Sequence, residues 1–259
     1  MKFVFFLITI FITACSNNKC DIYSHSKVDF TININTYIDS IKNINSRNDF
    51  IRFIDDHSSI LYPFFDVNEN KISERKTYIG SIYSNLIDNI YFDSLYNDVV
   101  NEFVDIKDFV NEINYSFYLY NKKSKIKFNP NINLLISGFF HDVEVDRKNI
   151  TIGIEYFLDK NNKYKPRDLP SYVMERYTPK HLNSTVLSTF FSQYNLYDEG
   201  DKSMINEMIA FGKLYYIISE ILPCVAQNII LGYSIDDYNR IQENEAFIYS
   251  YFIQNELLF

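Results

Sequence analysis

Tryptophan is absent from this sequence, and several residues that chemistry depends on are scarce: four histidines, three cysteines and six glycines in 259 residues. The histidines, His25, His57, His141 and His181, lie so far apart that no two share a turn of helix. No H-E-x-x-H and no C-x-x-C occurs, which removes the common zinc and thiol-redox spacings. The glycines form no phosphate-cradling loop. Neither G-x-S-x-G nor S-x-x-K stands in a context that presents a nucleophile. Positive charge is also short, with 25 Lys and Arg against 33 Asp and Glu and a net charge of -8. A chain without a basic field lacks the electrostatic footprint of a nucleic-acid partner. Lys122, Lys123, Lys125 and Lys127 are expected to decorate a strand or turn. Long apolar runs are missing too, except at the start.

That first run is informative. Lys2 supplies a positive n-region, and Phe3 to Ile12 form an apolar stretch broken only by Thr9. It is roughly ten residues long, where a spanning helix needs about 20. It therefore reads as a signal peptide, residues 1–14. Ile12-Thr13-Ala14-Cys15 then places a cysteine where a bacterial lipobox requires one. Its thiol can be thioether-linked to diacylglycerol, and about 0.8 kcal/mol per buried CH₂ makes a multi-chain anchor durable. Cys15 is the expected lipidation site, and residues 15–30 are the expected tether to a lipid membrane. Ser16 is not aspartate and no acidic cluster follows, so the expectation is an outer-membrane lipoprotein facing the periplasm. Cys20 and Cys224 remain; the periplasm permits their pairing, but spacing fixes no connectivity, and the simpler expectation leaves both unpaired.

The remainder can fill one ordinary domain or two small ones. Residues 31–128 read as mainly helical, with Tyr37, Ile38, Ile41 and Ile44, then Phe50, Ile51, Phe53 and Ile54, at helical spacing. Pro63 predicts a break at Tyr62. Two or three helices should fill Glu74 to Tyr120. Residues 129–259 change character after the turn Asn129-Pro130-Asn131. Ile132–Ile136 and Ile150–Leu158 are expected as paired strands, with a further strand at Lys125–Phe128, and Gly153 marks a bulge or a close backbone approach. Helices return after Pro170, near Pro179, from Lys202 to Leu222, and from Ser234, where Asp237 has capping-box spacing. On the Lys202–Leu222 helix, Ile205, Met208, Ile209, Gly212 and Tyr216 share a face. The last helix carries a stripe of Tyr238, Ile241, Ile248 and Phe252. The fold class is α+β, mostly helical with a small β-sheet.

Little in this pattern is catalytic. His141-Asp142 with Glu144 and Asp146 is the only local cluster suited to an ion, and adjacent strand residues point to opposite faces, so a solvated hairpin end is the plainer reading. Asp55-Asp56 and Asp236-Asp237 suit helix ends. No histidine is placed near Cys224 by any pattern.

Three stretches carry a resemblance. They are Ile136-Ser137-Gly138-Phe139 with Ile152-Gly153-Ile154-Glu155-Tyr156-Phe157-Leu158; Pro170-Ser171-Tyr172-Val173 through Arg176-Tyr177-Thr178-Pro179; and Met208-Ile209, Gly212-Lys213, Tyr216, Leu222-Pro223 and Leu231-Gly232-Tyr233-Ser234, continuing through Asn244-Glu245-Ala246 to Leu257-Leu258-Phe259. Together they resemble the gliding-motility lipoprotein B (GldB) family of the Bacteroidetes, clearly over residues 130–259. The resemblance implies a role in gliding and in the type IX secretion apparatus, with other envelope proteins as partners. It also implies a remote likeness to zinc-dependent peptidases. Here the corresponding helix reads Ser184-Thr185-Val186-Leu187-Ser188-Thr189-Phe190, and Phe211 stands where relatives often have an acidic residue before Gly-Lys. Zinc would lack ligands and water a general base. The expectation is a zincin-like scaffold without its metal site, no cofactor and no enzymatic activity. Alternatives are an atypical metallopeptidase and an envelope lipoprotein that binds glycan or peptide. Gly212, Lys213, Tyr216, Gly232 and Tyr233 are family-pattern positions. Plain structural roles for two of them are helix packing at Gly212 and a C-cap or turn at Gly232.

Overall fold

A computed structural model describes residues 30–166, 169–194, 198 and 200–258. The expected signal segment, Cys15, Cys20 and the tether through residue 29 lie outside the described residues. The first half holds β1 (Ile34–Thr36), α1 (Ile38–Lys42), α2 (Arg47–Asp56), α3 (Ser58–Phe64), α4 (Ile72–Leu86), α5 (Phe92–Glu102) and α6 (Lys107–Lys123). The second holds β2 (Asn131–Leu135), β3 (Val143–Val145), β4 (Asn149–Gly153), α7 (Ser171–Met174), α8 (Leu182–Ser192), α9 (Met204–Ile221), α10 (Gln227–Leu231), α11 (Ile235–Glu243) and α12 (Glu245–Gln254). Short 3-10 turns span Ile154–Phe157 and Pro179–His181. The class is α+β, mostly helical around one small mixed sheet.

The sheet order is β1-β2-β4-β3. The expected pair is present as β2 and β4, which run parallel, with Ile132 beside Ile150 and Leu134 beside Ile152. Both central strands are buried along nearly their whole length, as parallel strands covered on two faces should be. β3 closes one edge antiparallel to β4, through the polar turn at Asp146, whose carboxylate accepts from Asn149 N–H at 2.9 Å.

Three strand expectations need correction. The strand expected over Ile150–Leu158 ends at Gly153, where Ile154–Phe157 wind into a 3-10 turn. Residues 34–36, read as part of a helical region, form β1, paired in parallel with β2. Only three residues long, β1 depends on a partner about a hundred positions away. Side-chain amides reinforce it: Asn35 Nδ2 donates to Asn133 Oδ1 at 2.9 Å, and Asn133 Nδ2 reaches Thr151 Oγ1 at 3.5 Å. Asn133 and Thr151 are buried, so this ladder satisfies polar atoms that would otherwise be costly. Conversely, Lys125–Phe128 is no strand. The Asn121 side chain occupies both main-chain groups of Phe128, accepting its N–H at 2.8 Å and donating to its carbonyl at 2.7 Å.

The helices follow from local rules. Ser46 caps α2 by accepting Asp49 N–H at 3.1 Å, and Phe50 and Ile54, one turn apart, are fully buried beneath it. Pro63 does not break the chain at Tyr62 but lies inside α3, one residue from its end. Burial of Tyr62, Phe64 and Phe65 and the 2.6 Å bond from Tyr62 OH to Asp55 offset the missing N–H. Ser234 caps α11 as its spacing predicts, accepting Asp237 N–H at 3.1 Å. The stripe Tyr238, Ile241, Ile248 and Phe252 is half-buried, although the helix breaks at Asn244 into α11 and α12.

One buried cluster draws on both halves, with Phe117 of α6 and Phe190 of α8 packed edge to face at 5.3 Å. Ser116 adds a polar tie, donating to the Ile221 carbonyl at the end of α9 at 2.9 Å. α9 buries Ala210, Leu214, Ile218 and Ile221; the face shared by Met208, Ile209, Gly212 and Tyr216 points outward. Cys224, expected to be unpaired, is disulfide-bonded. Sequence spacing carries no signal for such a contact, which depends on tertiary proximity.

Candidate functional site

A cleft of about 220 Å³ opens among the Pro179–His181 turn, α8, α9 and α10. Its wall on α8 is made of Ser184, Thr185, Ser188 and Thr189, two adjacent pairs one helical turn apart. The first residues past α7 supply Arg176 and Tyr177, and α9 supplies Tyr215. Arg176 reaches the cleft across Gly232. A Cβ at Gly232 would sit 2.5 Å from Arg176 Nε and 2.8 Å from its Cδ, so any larger residue would force the arginine side chain to shift. Gly232 also ends α10 at φ 70°, the left-handed cap its position predicts. Arg176 Nε is buried without a hydrogen-bond partner, and the guanidinium forms no ion pair among the described residues.

The other groups lining the cleft are not cationic. His181 is buried, and burial first, then Lys180 and Arg176, lower its pKa to about 4, so it is neutral at physiological pH. Its Nδ1 lies 2.7 Å from Thr178 Oγ1. Three of the four α8 hydroxyl protons are already committed. Ser184 Oγ donates to the His181 carbonyl at 2.9 Å, Ser188 Oγ to the Ser184 carbonyl at 2.6 Å, and Thr189 Oγ1 to the Thr185 carbonyl at 2.9 Å. Their lone pairs are what remain, so the cleft offers one cationic donor and several neutral acceptors.

A second constellation lies at the carboxyl ends of β2 and β4, where open sheets commonly place functional groups. Glu155, just beyond β4, is fully buried. Its Oε1 accepts from Ser137 N–H at 2.8 Å, Ser137 Oγ at 2.6 Å and Phe139 N–H at 2.9 Å, while Oε2 has no partner. Burial pushes the carboxyl above the usual range and the donors pull it down; burial prevails. The carboxylate thus ties down the loop after β2, where Gly138 at φ 72° and Phe139 at φ 62° turn sharply. Tyr156 OH secures the same loop by donating to the Phe139 carbonyl at 2.7 Å. Gly153 is the close approach that the sequence predicts, since a Cβ there would collide with the His141 carbonyl. Tyr177 OH donates to Asp142 at 2.7 Å beside a shallow cleft of about 240 Å³. Glu155 was missed as a site residue. Its signal was a carboxylate inside the otherwise apolar run Ile150–Leu158.

The family-pattern positions separate in space. Gly232 borders the cleft, and Tyr233 next to it is exposed. Gly212, Lys213 and Tyr216 lie on the outer face of α9. A packing role for Gly212 does not hold, because a Cβ there would meet nothing within 4 Å. His141 Nε2 lies 3.7 Å from Glu144 and 3.9 Å from Asp142, with its ring stacked on Phe64. Among the described residues, no group of three or more His, Cys, Asp or Glu is placed to hold a metal ion. The serines and threonines of α8 are poor ligands for zinc, so the residues present do not fit such an ion. No helix of the described residues is long and apolar enough to cross a membrane.

A family model described as gliding motility protein GldB matches residues 17–259. No curated protein and no solved structure matches the chain.

Proposed function

Because the chain belongs to the gliding motility protein GldB family, we propose that it is a non-catalytic lipoprotein component of the gliding and type IX secretion apparatus. It is anchored in the outer membrane by lipid on Cys15, with its body facing the periplasm. The observation that carries this reading is apolar surface left uncovered on two helices. On α9, Met208 and Ile209 are 45% and 50% exposed; on α12, Phe247 and Tyr249 are 71% and 58% exposed. Exposed apolar side chains that lie side by side, as Met208 and Ile209 do, form the kind of surface that meets other proteins. Gly212, Lys213 and Tyr216 share the α9 face, which gives the family pattern a role in assembly rather than in folding.

The α8 wall supports the non-catalytic part of the reading. In a zincin-like scaffold this helix would carry two histidines and a glutamate, and here it carries hydroxyls. Complementation in a gliding relative lacking its own copy tests the proposal, with wild type and Cys15→Ala scored for colony spreading and secreted cargo. Restoration by wild type alone is expected. Restoration of neither trait by an expressed, anchored wild-type chain overturns the machinery role.

A further inference from the structure

We infer that the cleft over Gly232 receives the C-terminal carboxylate of a peptide, held by Arg176 and by the hydroxyl oxygens of α8. This does not depend on the machinery role. Three features of the cleft converge on it. Arg176 is a permanent cation that lines the cleft and forms no ion pair among the described residues, so an incoming oxyanion would give its guanidinium a charge partner. Gly232 holds open the space through which that side chain passes. The wall facing it accepts hydrogen bonds and has few protons to give, because Ser184, Ser188 and Thr189 donate theirs to main-chain carbonyls.

That last point selects among anions. A phosphate presents acceptors on every side and would meet the serine and threonine lone pairs unfavourably. A peptide end presents a carboxylate for the guanidinium and, a few ångströms away, an amide N–H that needs an acceptor. Size agrees. At about 220 Å³ the cleft is smaller than a pocket for a whole drug-sized ligand, which suits the last residue or two of a longer chain. Ile229 and Ile230 add apolar lining for a small side chain.

The full chain in detergent should be titrated with N-acetyl-alanyl-alanine, with its C-terminal amide, and with inorganic phosphate, by calorimetry and by NMR shifts. The free acid should saturate and the amide should bind about tenfold more weakly or worse, as expected for loss of a charge-assisted bond. Arg176→Gln and Gly232→Ala should weaken the acid by a similar factor, while Lys213→Ala, on the outer face of α9, should leave it unchanged. Melting curves identify any variant that fails to fold. If Arg176→Gln is such a variant, the acid-versus-amide comparison on the wild-type chain and the Thr185→Val variant decide the matter. Equal binding of acid and amide overturns the inference. So does saturation by phosphate in place of the acid, or saturation by none of the three.

Discussion

Replacing Glu155 by alanine removes one acceptor from three donors at once. Ser137 Oγ has a second acceptor within reach, the His141 carbonyl at 3.4 Å. The main-chain N–H groups of Ser137 and Phe139, bonded to Glu155 at 2.8 and 2.9 Å, have no such alternative and lose their acceptor, the first in a buried and the second in a partly buried setting. At about 1–3 kcal/mol for each, the loss is about 2–6 kcal/mol, a large share of the roughly 5–15 kcal/mol that holds a domain folded. Glu155→Gln keeps the Oε1 acceptor and replaces an oxygen that has no partner, so it should cost less than half as much. The pair also separates charge from hydrogen bonding. A carboxyl whose folded pKa lies above its unfolded value of 4.5 binds the proton more tightly when folded. Its folded form is therefore favoured at low pH and loses stability as pH rises from there towards the raised folded pKa, at about 1.4 kcal/mol per unit. Urea unfolding of wild type and Glu155→Gln from pH 4 upward should show the wild type losing ground to the variant over that window. Every other titrating group, including His181, is common to both and cancels. A Glu155→Ala loss below about 1 kcal/mol would refute the reasoning, as would a Glu155→Gln difference that stays flat or widens in favour of wild type as pH rises.

Two glycine substitutions should move stability in opposite directions. Gly212→Ala fills open space in the middle of an exposed helix and should stabilise by about 0.5–1 kcal/mol, whereas Gly153→Ala drives a Cβ into the His141 carbonyl and should destabilise by about 2 kcal/mol or more; thermal melts of both variants check the contrast. Cys224→Ser, or reduction of the wild-type chain, should cost about 2–5 kcal/mol, read as a lower urea midpoint that addition of reductant to the serine variant leaves unchanged.

Much of this protein is local and was therefore legible. Ser234 and Asp237 set the start of α11, Pro223 limits α9, Asp146 turns β3 into β4, and Gly232 caps α10, because each depends on bonds within a few residues. Gly153 was readable as a close approach, though not what it approaches. Other features required distant parts of the chain. β1 exists only because β2 lies beside it, and nothing within Ile34–Thr36 distinguishes a strand from the helical pattern around it. α9 carries apolar residues on both sides, so periodicity could not say which side the core would take; packing against α6 and α8 chose Ala210, Leu214 and Ile218. Glu155 became a buried anchor because the loop after β2 folds back over β4, and Arg176 came to line a cleft, with no ion pair among the described residues, because Gly232, more than fifty positions later, passes beneath it. Sequence by itself determined most of the helices and several of their ends, since capping, turn chemistry and side-chain period act over one or two turns. Tertiary structure alone decided which faces meet and which polar groups are left without partners, since both depend on contacts between residues that are remote along the chain.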